Sequence, residues 1–292
     1  MQIAILYIKL KLEGIRFMKK ILILIVFIIT LGLVRFGVKE IVLRKPQSSN
    51  NSNIHQTIVK SNDESIPVIM YHSIKYEKGN GVRLPKEKFE EQMKYLKENN
   101  YSTLTMDELY DFLKNNKKIP KKAVVLTFDD GYKDNYDTAY PILKKYGFKA
   151  TLFVITNCIG TGEYLTADQL KEMNKNGFDV ESHTTNHEKL TELSYEEQYK
   201  IFLESKHDLE KLLNKKVKYI AYPYGKYDDK SIKAVENAGY KLAVTTQCKW
   251  SNKKDGIYTI SRVGISGKHD MDKFIKKIEF ENYCRVYKYL FL

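Results

Sequence analysis

Cysteine is scarce in this sequence. The chain has 292 residues and three cysteines, Cys158, Cys248 and Cys284. No two of them show the CxxC spacing, or another paired spacing, that is typical of a thiolate zinc site or a disulfide framework. We therefore expect neither kind of site, and we expect the cysteines to pack as small buried hydrophobic side chains.

A nucleic-acid-binding motif is also missing, although the sequence is basic. Lys and Arg exceed Asp and Glu by 13, and such an excess favours anionic surroundings such as nucleic acid, anionic lipid or acidic cell-wall polymer. Most basic residues are isolated lysines on predicted helix faces, such as Lys86, Lys88, Lys94 and Lys97, and they form no Arg-rich stripe. We interpret them as a solvated basic surface and predict no nucleic-acid partner.

One long apolar run, Ile21–Val34, directly follows Lys19 and Lys20. This arrangement is typical of a signal sequence or a signal anchor. A helix of this length spans about 21 Å, less than the ~30 Å hydrocarbon core, so its length leaves cleavage open. Because no small-x-small cleavage site follows, we favour an uncleaved single-pass anchor with the rest of the chain outside the cytoplasm; a cleaved chain would be secreted. Met18 begins a conventional signal opening, so residues 1–17 are either a cytoplasmic stub or a result of start-codon choice.

The sequence divides into four segments by composition. Residues 1–43 contain the stub and anchor, residues 44–65 are rich in Ser and Asn and are predicted to be a flexible linker, residues 66–279 form the folded domain, and residues 280–292 are an aromatic tail. In the domain, about seven short β-branched runs alternate with amphipathic helical stretches. This alternation predicts an α/β domain with a mostly parallel sheet, as a barrel or a doubly wound sheet, and active residues at the carboxyl ends of its strands.

Two adjacent carboxylates, Asp129 and Asp130, follow the apolar run AVVLTF and precede Gly131. Adjacent strand residues point to opposite faces, so both carboxylates can serve one site only where the strand opens into a loop. Gly131 permits such a turn. An Asp-Asp-Gly turn is also a common structural device, so this motif alone leaves both interpretations open.

Two histidines, His183 and His187, form an HxxxH pair after the strand-like run FDVES. Such a pair can hold one metal ion, but it can equally be two polar surface residues. A zincin would need Glu after the first histidine, whereas position 184 is Thr, so a general base must come from elsewhere. One carboxylate of the Asp pair could complete a two-His, one-carboxylate site and leave the other carboxylate as base.

Two further polar groups follow apparent strands. His72 lies in PVIMYHSI, and Tyr222–Gly225 forms the run YPYG. A single histidine is more often structural than catalytic. Four polar groups at four strand ends are, however, what the mouth of a barrel collects from distant parts of a sequence.

The motifs TFDDGY, SHTTNH and YPYG, at residues 127–132, 182–187 and 222–225, resemble in order and spacing those of the polysaccharide deacetylase family, the NodB-homology group of carbohydrate esterase family four. The resemblance covers about Ile66 to Glu279 and implies a distorted (β/α)7-type barrel. The run PVIMYHSI is similar to the branch that acts on exported poly-N-acetylglucosamine, in which an early histidine replaces the late catalytic histidine of other members.

The resemblance also implies roles for individual residues. Asp129 would be the general base and His72 the general acid, while Tyr224 would offer its backbone N–H to the oxyanion and line the acetyl pocket with its ring. A divalent metal ion, Zn²⁺ with Co²⁺ or Ni²⁺ as alternatives, would be bound by three side chains. These predicted ligands are Asp130, His183 and His187.

Two departures from the family pattern affect this interpretation. Ile220 occupies the place where many members carry the Arg that orients the base, and Arg262 in TISRVGI is our candidate replacement, with an ordinary solvent-facing Arg as the alternative. The late Leu-x-His motif is absent around His269, which is why we assign the acid to His72.

Two aromatic residues, Trp250 and Tyr132, are candidates to stack against pyranose rings, and packing in the core is the alternative for each. We predict a monomeric, metal-dependent enzyme that removes the acetyl group of N-acetylglucosamine units in a surface or wall polysaccharide. A carbohydrate O-acetyl esterase and a non-catalytic wall-glycan-binding protein are the competing functions. A glycosidase is disfavoured, because adjacent carboxylates rarely flank a glycosidic bond ~5 Å or more apart.

Overall fold

The computed structural model of the protein describes residues 59–281 and Tyr283. The predicted anchor at residues 21–34, the linker as far as residue 58 and nearly all of the predicted tail lie outside this part of the chain. Among the described residues, no helix combines the length and the apolar character needed to cross a membrane.

Strands and helices alternate along the described chain, as the sequence pattern predicts. The strands are β1 (Val59–Lys60), β2 (Val68–Tyr71), β3 (Ser102–Leu104), β4 (Ile119–Pro120), β5 (Ala123–Asp130), β6 (Thr151–Val154), β7 (Asp179–Ser182), β8 (Tyr219–Ala221), β9 (Leu242–Val244) and β10 (Val263–Gly264). The α-helices are α1 (Lys86–Glu98), α2 (Met106–Asn115), α3 (Tyr140–Tyr146), α4 (Ala167–Lys175), α5 (Tyr195–Leu213), α6 (Asp229–Asn237) and α7 (Met271–Glu279).

The main sheet is parallel throughout and has the strand order β10-β2-β5-β6-β7-β8-β9, with β3 pairing with the first half of β5. The sheet curls, because the chain just before β10 also lies against β9 at the other edge, where Ile260 pairs with Val244. β1 and β4 form a separate antiparallel pair. The prediction of a mostly parallel α/β sheet is confirmed.

Strand β5 shows why this sequence forms a sheet buried on both faces. Seven of its eight residues are buried in the pattern BBBBBBBi. Val124, Leu126 and Phe128 pack into the layer between sheet and helices, whereas Val125 packs in a second cluster with residues of β2, β6, β8 and β9. Parallel strands buried on both faces favour such continuous apolar runs, and each fully buried side chain contributes roughly 1.5–3 kcal/mol. The alternation places Asp129 on the same face as Val125.

Three of the helices begin with a capping box. Thr105, Thr166 and Ser194 each accept a hydrogen bond from the backbone N–H three residues later, and the Glu or Gln at that position bonds back. These caps fix where three of the helices begin.

The prediction for the cysteines is wrong for Cys248, which is disulfide-bonded, while Cys158 is free and half-buried. Sequence spacing is a weak guide here, because a disulfide joins residues that meet only in the folded chain.

Candidate active site

Three predicted metal ligands come together at the carboxyl ends of β5 and β7. Asp130 Oδ1 lies 3.4 Å from His183 Nε2 and 3.6 Å from His187 Nε2, and one ligand atom from each residue lies within 4.8 Å of the other two. A carboxylate and two imidazoles form a donor set that Zn²⁺ and related divalent ions bind. The cluster therefore offers three ligand atoms and would leave the remaining coordination positions to water or substrate.

The backbone turns sharply where these ligands stand. Asp130 has φ 71° and Gly131 has φ 80°, and a Cβ at Gly131 would lie 2.9 Å from Val154 Cγ1. Two successive left-handed residues end β5 and rotate Asp130 away from the position that a regular strand would give it. His187 also has a positive φ, 57°. Left-handed non-glycine residues are uncommon and concentrate at functional sites.

Hydrogen bonding prepares His183 for a metal ion. Its Nδ1 lies 2.7 Å from the carbonyl oxygen of Ala221 and is buried, so the N–H on Nδ1 donates to that carbonyl and Nε2 faces Asp130. Metal-binding histidines are commonly oriented in this way. Burial, together with the neighbouring charge of His183, lowers the pKa of His187, which favours the neutral ring that binds metals.

The cluster fits a divalent cation. Asp130 Oδ1 is buried and has no hydrogen-bond partner among the described residues, which is costly for a carboxylate oxygen unless a cation compensates it. Burial alone would raise the pKa of Asp130, but the interactions with His183 outweigh it and lower that pKa. The carboxylate is therefore ionised and ready to bind a cation.

Asp129 is held in a buried ion pair with Arg262. Both carboxylate oxygens accept a hydrogen bond from the guanidinium, each at 2.6 Å, and both residues are almost completely buried. Burial would raise the pKa of Asp129, but the charge of Arg262 outweighs it and lowers the pKa to about 2. The alternative of a solvent-facing Arg262 is wrong. Its role in orienting a base stays a prediction.

Arg262 reaches the interior because of where its segment runs. Two residues before it, Ile260 pairs with Val244 of β9, and one residue after it, Val263 pairs with Ile69 of β2. The segment thus lies between the two edges of the curled sheet. From there Arg262 Nε also donates to the carbonyl of Thr245 at 2.9 Å.

Asp129 and the three predicted metal ligands line one pocket of about 310 Å³. The predicted residues His72, Tyr132 and Tyr224 line it, together with four residues that the sequence did not suggest. These four are Asn80, Val82, Arg83 and Thr246.

Arg83 is the most constrained of the unpredicted pocket residues. It contacts Glu163 at 2.5 Å and Glu77 at 3.0 Å, and its guanidinium lies 5.9 Å from the centre of the Tyr132 ring. Tyr132 also stacks on Tyr164 at 5.3 Å. Arg83 lies in a loop without hydrophobic periodicity or a strand-end motif, so no signal in the sequence marked it.

Tyr224 projects beside the metal ligands. Its ring is 4.3 Å from that of His187 and about half of the residue is exposed, and its backbone is left-handed with φ 58°. The next residue, Gly225, also has a positive φ, and a Cβ there would overlap Thr246. The YPYG motif therefore needs glycine at this close approach.

Trp250 is not brought to this pocket. It lines a different cavity with Tyr101 and Ala123, at the amino end of β5, and its indole N–H donates to the carbonyl of Lys277 at 2.8 Å. Trp250 packs against the core, so the predicted stacking on a sugar in the active site is wrong for this residue. His269 accepts a hydrogen bond from Ser266 N at 3.1 Å and is also outside the pocket.

Comparisons with known proteins agree with this geometry. A family profile described as polysaccharide deacetylase matches residues 116–243. YxkH of Bacillus subtilis (strain 168), named as a polysaccharide deacetylase, is 43% identical over 201 residues, covering 69% of this chain and 71% of that protein. The poly-beta-1,6-N-acetyl-D-glucosamine N-deacetylase of Staphylococcus epidermidis is 35% identical over 194 residues, covering 62% and 67%.

Solved structures give the same result. The Streptococcus pyogenes deacetylase PplD in complex with acetate superposes with a TM-score of 0.71 at 35% sequence identity, covering 74% of this chain and 99% of that one. The curled parallel sheet and the extent of these matches lead to one conclusion: the chain belongs to the polysaccharide deacetylase family.

Proposed function

We propose that the protein hydrolyses the acetamide of N-acetylglucosamine units in a polysaccharide and releases acetate, in a reaction that depends on a bound divalent metal ion. One observation carries this proposal. The Arg262-paired carboxylate of Asp129 and the cluster of Asp130, His183 and His187 line the same pocket. A base beside a metal site is the arrangement that metal-assisted amide hydrolysis requires.

The metal ion would be held by Asp130, His183 and His187. When bound, it would supply Lewis-acid polarisation of the acetyl carbonyl and an attacking water of lowered pKa. The donor set suits Zn²⁺, with Co²⁺ and Ni²⁺ as alternatives.

Asp129 accepts the proton of the attacking water in this proposal. Its pKa of about 2 keeps it ionised at neutral pH, and Arg262 holds both of its oxygens so that the carboxylate cannot rotate away. A carboxylate with so low a pKa is a weak base, so the proton transfer would need a water whose pKa a bound metal ion lowers.

His72 and Tyr224 complete the reaction. His72 lines the pocket and protonates the departing nitrogen, because an unprotonated amide anion is too poor a leaving group. The backbone N–H of Tyr224 stabilises the oxyanion, a contribution that is typically ~10²–10³ in rate for one donor.

A poly-N-acetylglucosamine chain is the substrate that we favour. His72 lies at the end of β2, where the sequence resembles the branch acting on that polymer, and the Staphylococcus epidermidis relative is named for it. The structure of PplD was solved with acetate, which is the product of this reaction. A catalytic domain outside the cytoplasm, tethered by residues 21–34, would give access to exported glycan, and the disulfide at Cys248 is typical of an oxidising compartment.

Acetate release from N-acetylglucosamine oligomers by the full-length protein tests the proposal. We expect that chelator abolishes the release of acetate and that Asp129→Asn reduces it at least 100-fold. Asp168→Asn is the matched control and should leave the release unchanged, since Asp168 is exposed at the start of α4. Release from acetyl esters alone would favour the O-acetyl esterase. Glycan binding without release of acetate from either substrate class would favour the non-catalytic protein.

A further inference from the structure

The backbone that carries His72 leaves the sheet immediately before this residue. β2 pairs with β5 only as far as Tyr71, opposite Phe128. Buried backbone N–H and C=O groups beyond that point need other partners. The partners come from the segment that follows the Asp129-Asp130-Gly131 turn.

Two side chains of that segment hold the backbone around His72. Asn135 Nδ2 donates to the carbonyl oxygen of His72 at 2.7 Å. Asp134 Oδ1 accepts from the backbone N–H of Ile74 at 2.7 Å, and Asp134 Oδ2 accepts from the Ser73 hydroxyl at 2.6 Å. We call Asp134 and Asn135 the His72 clasp.

The clasp is largely buried, and its two members are hydrogen-bonded to each other. Asn135 is 1% exposed and Ser73 is fully buried, and Asn135 Nδ2 also contacts Asp134 Oδ1 at 3.2 Å, so that the two members brace each other. By contrast, no hydrogen bond from a described residue reaches the His72 imidazole. The position of that ring therefore depends on how its backbone is held.

We infer that Asp134 and Asn135 are positioning residues that fix the His72 backbone so that its imidazole can deliver a proton to the departing nitrogen. This inference rests on the proposed function. In that reaction the oxygen of water bonds to the acetyl carbon, one water proton goes to Asp129, the carbon–nitrogen bond breaks, and the nitrogen takes a proton from His72. The second water proton stays on the acetyl group until the acetic acid ionises, and the proton on Asp129 is released to restore the site. Acetate and a free amine are the products.

The identity of the leaving group separates positioning from general structural support. An amide needs the proton from His72, whereas 4-nitrophenyl acetate releases a stable anion that does not. A loosened His72 should therefore slow amide hydrolysis and spare the aryl ester. A distorted metal site or a partly unfolded protein should slow both reactions.

The experiment compares both substrates in the full-length protein at equal measured metal content. For Asn135→Ala we expect a 10–100-fold loss of kcat on N-acetylglucosamine oligomers, since small displacements of a catalytic group cost about this much, and less than a threefold change on 4-nitrophenyl acetate. Ser73→Ala is the milder variant, in case the buried Asn135→Ala chain does not fold. It should lose three- to tenfold in kcat on N-acetylglucosamine oligomers and leave kcat on 4-nitrophenyl acetate unchanged. The exposed Asn115→Ala is the matched control and should change neither rate.

A double-mutant cycle with His72→Asn gives the second readout. Once the acid is missing, Asn135→Ala should cause no further loss on the amide, because residues that act through one another are not additive. Equal losses on both substrates, a further loss in the His72→Asn background, or no loss in either Asn135→Ala or Ser73→Ala would overturn the inference. If the wild-type protein released no acetate from any N-acetylated glycan, the proposed function itself would fail. If the wild type is active but the Asn135→Ala and Ser73→Ala variants lose activity equally on both substrates, only the positioning role of the clasp is overturned.

Discussion

Arg262 donates one hydrogen bond to each carboxylate oxygen of Asp129, both at 2.6 Å, although the two residues are 133 positions apart in the sequence. The pair is fully desolvated, so neither partner can be removed without leaving a buried charge. This relationship governs the ionisation of the proposed base.

Replacement of Arg262 should change the pH dependence of catalysis. Without the guanidinium, burial dominates and the pKa of Asp129 rises, so the acidic limb of the kcat/KM profile should move to higher pH. We expect Arg262→Met to lower kcat/KM at neutral pH about 100-fold and Arg262→Lys about tenfold, since Lys keeps the charge but cannot bond both oxygens. An unshifted acidic limb in both folded variants would contradict this role.

Metal binding should stabilise the folded protein. A ligand at 100 times its Kd adds about 2.7 kcal/mol to the free energy of unfolding, so Zn²⁺ should raise the Tm of the chelator-treated wild type. Asp130→Asn should remove most of this increase, because it neutralises the anionic ligand. The prediction is checked by thermal unfolding with and without Zn²⁺, and an equal increase in Asp130→Asn would place the ion elsewhere.

Arg83 should affect substrate binding more than the chemical step. It lines the pocket but is tied to Glu163 and Glu77, which neutralise its charge and leave it as a fixed hydrogen-bond donor. We expect Arg83→Met to raise KM about tenfold with kcat within threefold, a sign of lost uniform binding. Initial-rate kinetics on N-acetylglucosamine oligomers check this, with the exposed Lys94→Met as control; a fall in kcat at constant KM would assign Arg83 to the chemistry instead.

Glu181 should make the folded state less stable as the pH rises. Burial raises its pKa to about 7, even though Lys215 pairs with it, so the folded state holds this proton more tightly than the unfolded state does. Stability is therefore greatest below the unfolded pKa of about 4.5 and declines as pH rises toward 7.

The Glu181→Gln variant should lose this contribution. Gln can still accept from the backbone N–H groups of Lys218 and Tyr219, which now donate to Glu181 at 2.7 and 2.8 Å. Urea unfolding at pH 5 and pH 8 measures how far the free energy of unfolding falls between these two pH values. We expect this fall to be smaller by about 2 kcal/mol in Glu181→Gln than in wild type. The exposed Glu196→Gln is the control, and identical slopes in all three proteins would refute the assignment.

The sequence predicts most of the parallel sheet because its signals are local. The β5 run AVVLTF acts through near neighbours, and the structure confirms the strand that it predicts; the capping residue Thr105 likewise acts locally, on the first turn of α2. The cluster of Asp130, His183 and His187 was also predictable, because parallel strands bring the polar residues at their carboxyl ends to one edge.

Residues that depend on distant contacts were harder to assign. Arg262 could be identified as a candidate, but only the curl of the sheet shows that it faces inward. Trp250 was misplaced because an aromatic residue near a strand carries no sign of which end of the sheet it will reach. Arg83 was missed because its ion pairs with Glu77 and Glu163 arise from the fold of loops that have no periodic pattern.

The position of Arg262 between β9 and β10 has a consequence for synthesis of the chain. The predicted metal ligands and Tyr224 all precede it, so a nascent chain that ends before Ile257 already contains the carboxylate of Asp129 but not its counterion. Such a chain must either keep that carboxylate hydrated or bury it protonated. The site therefore becomes electrostatically complete only when the last strand of the domain is added.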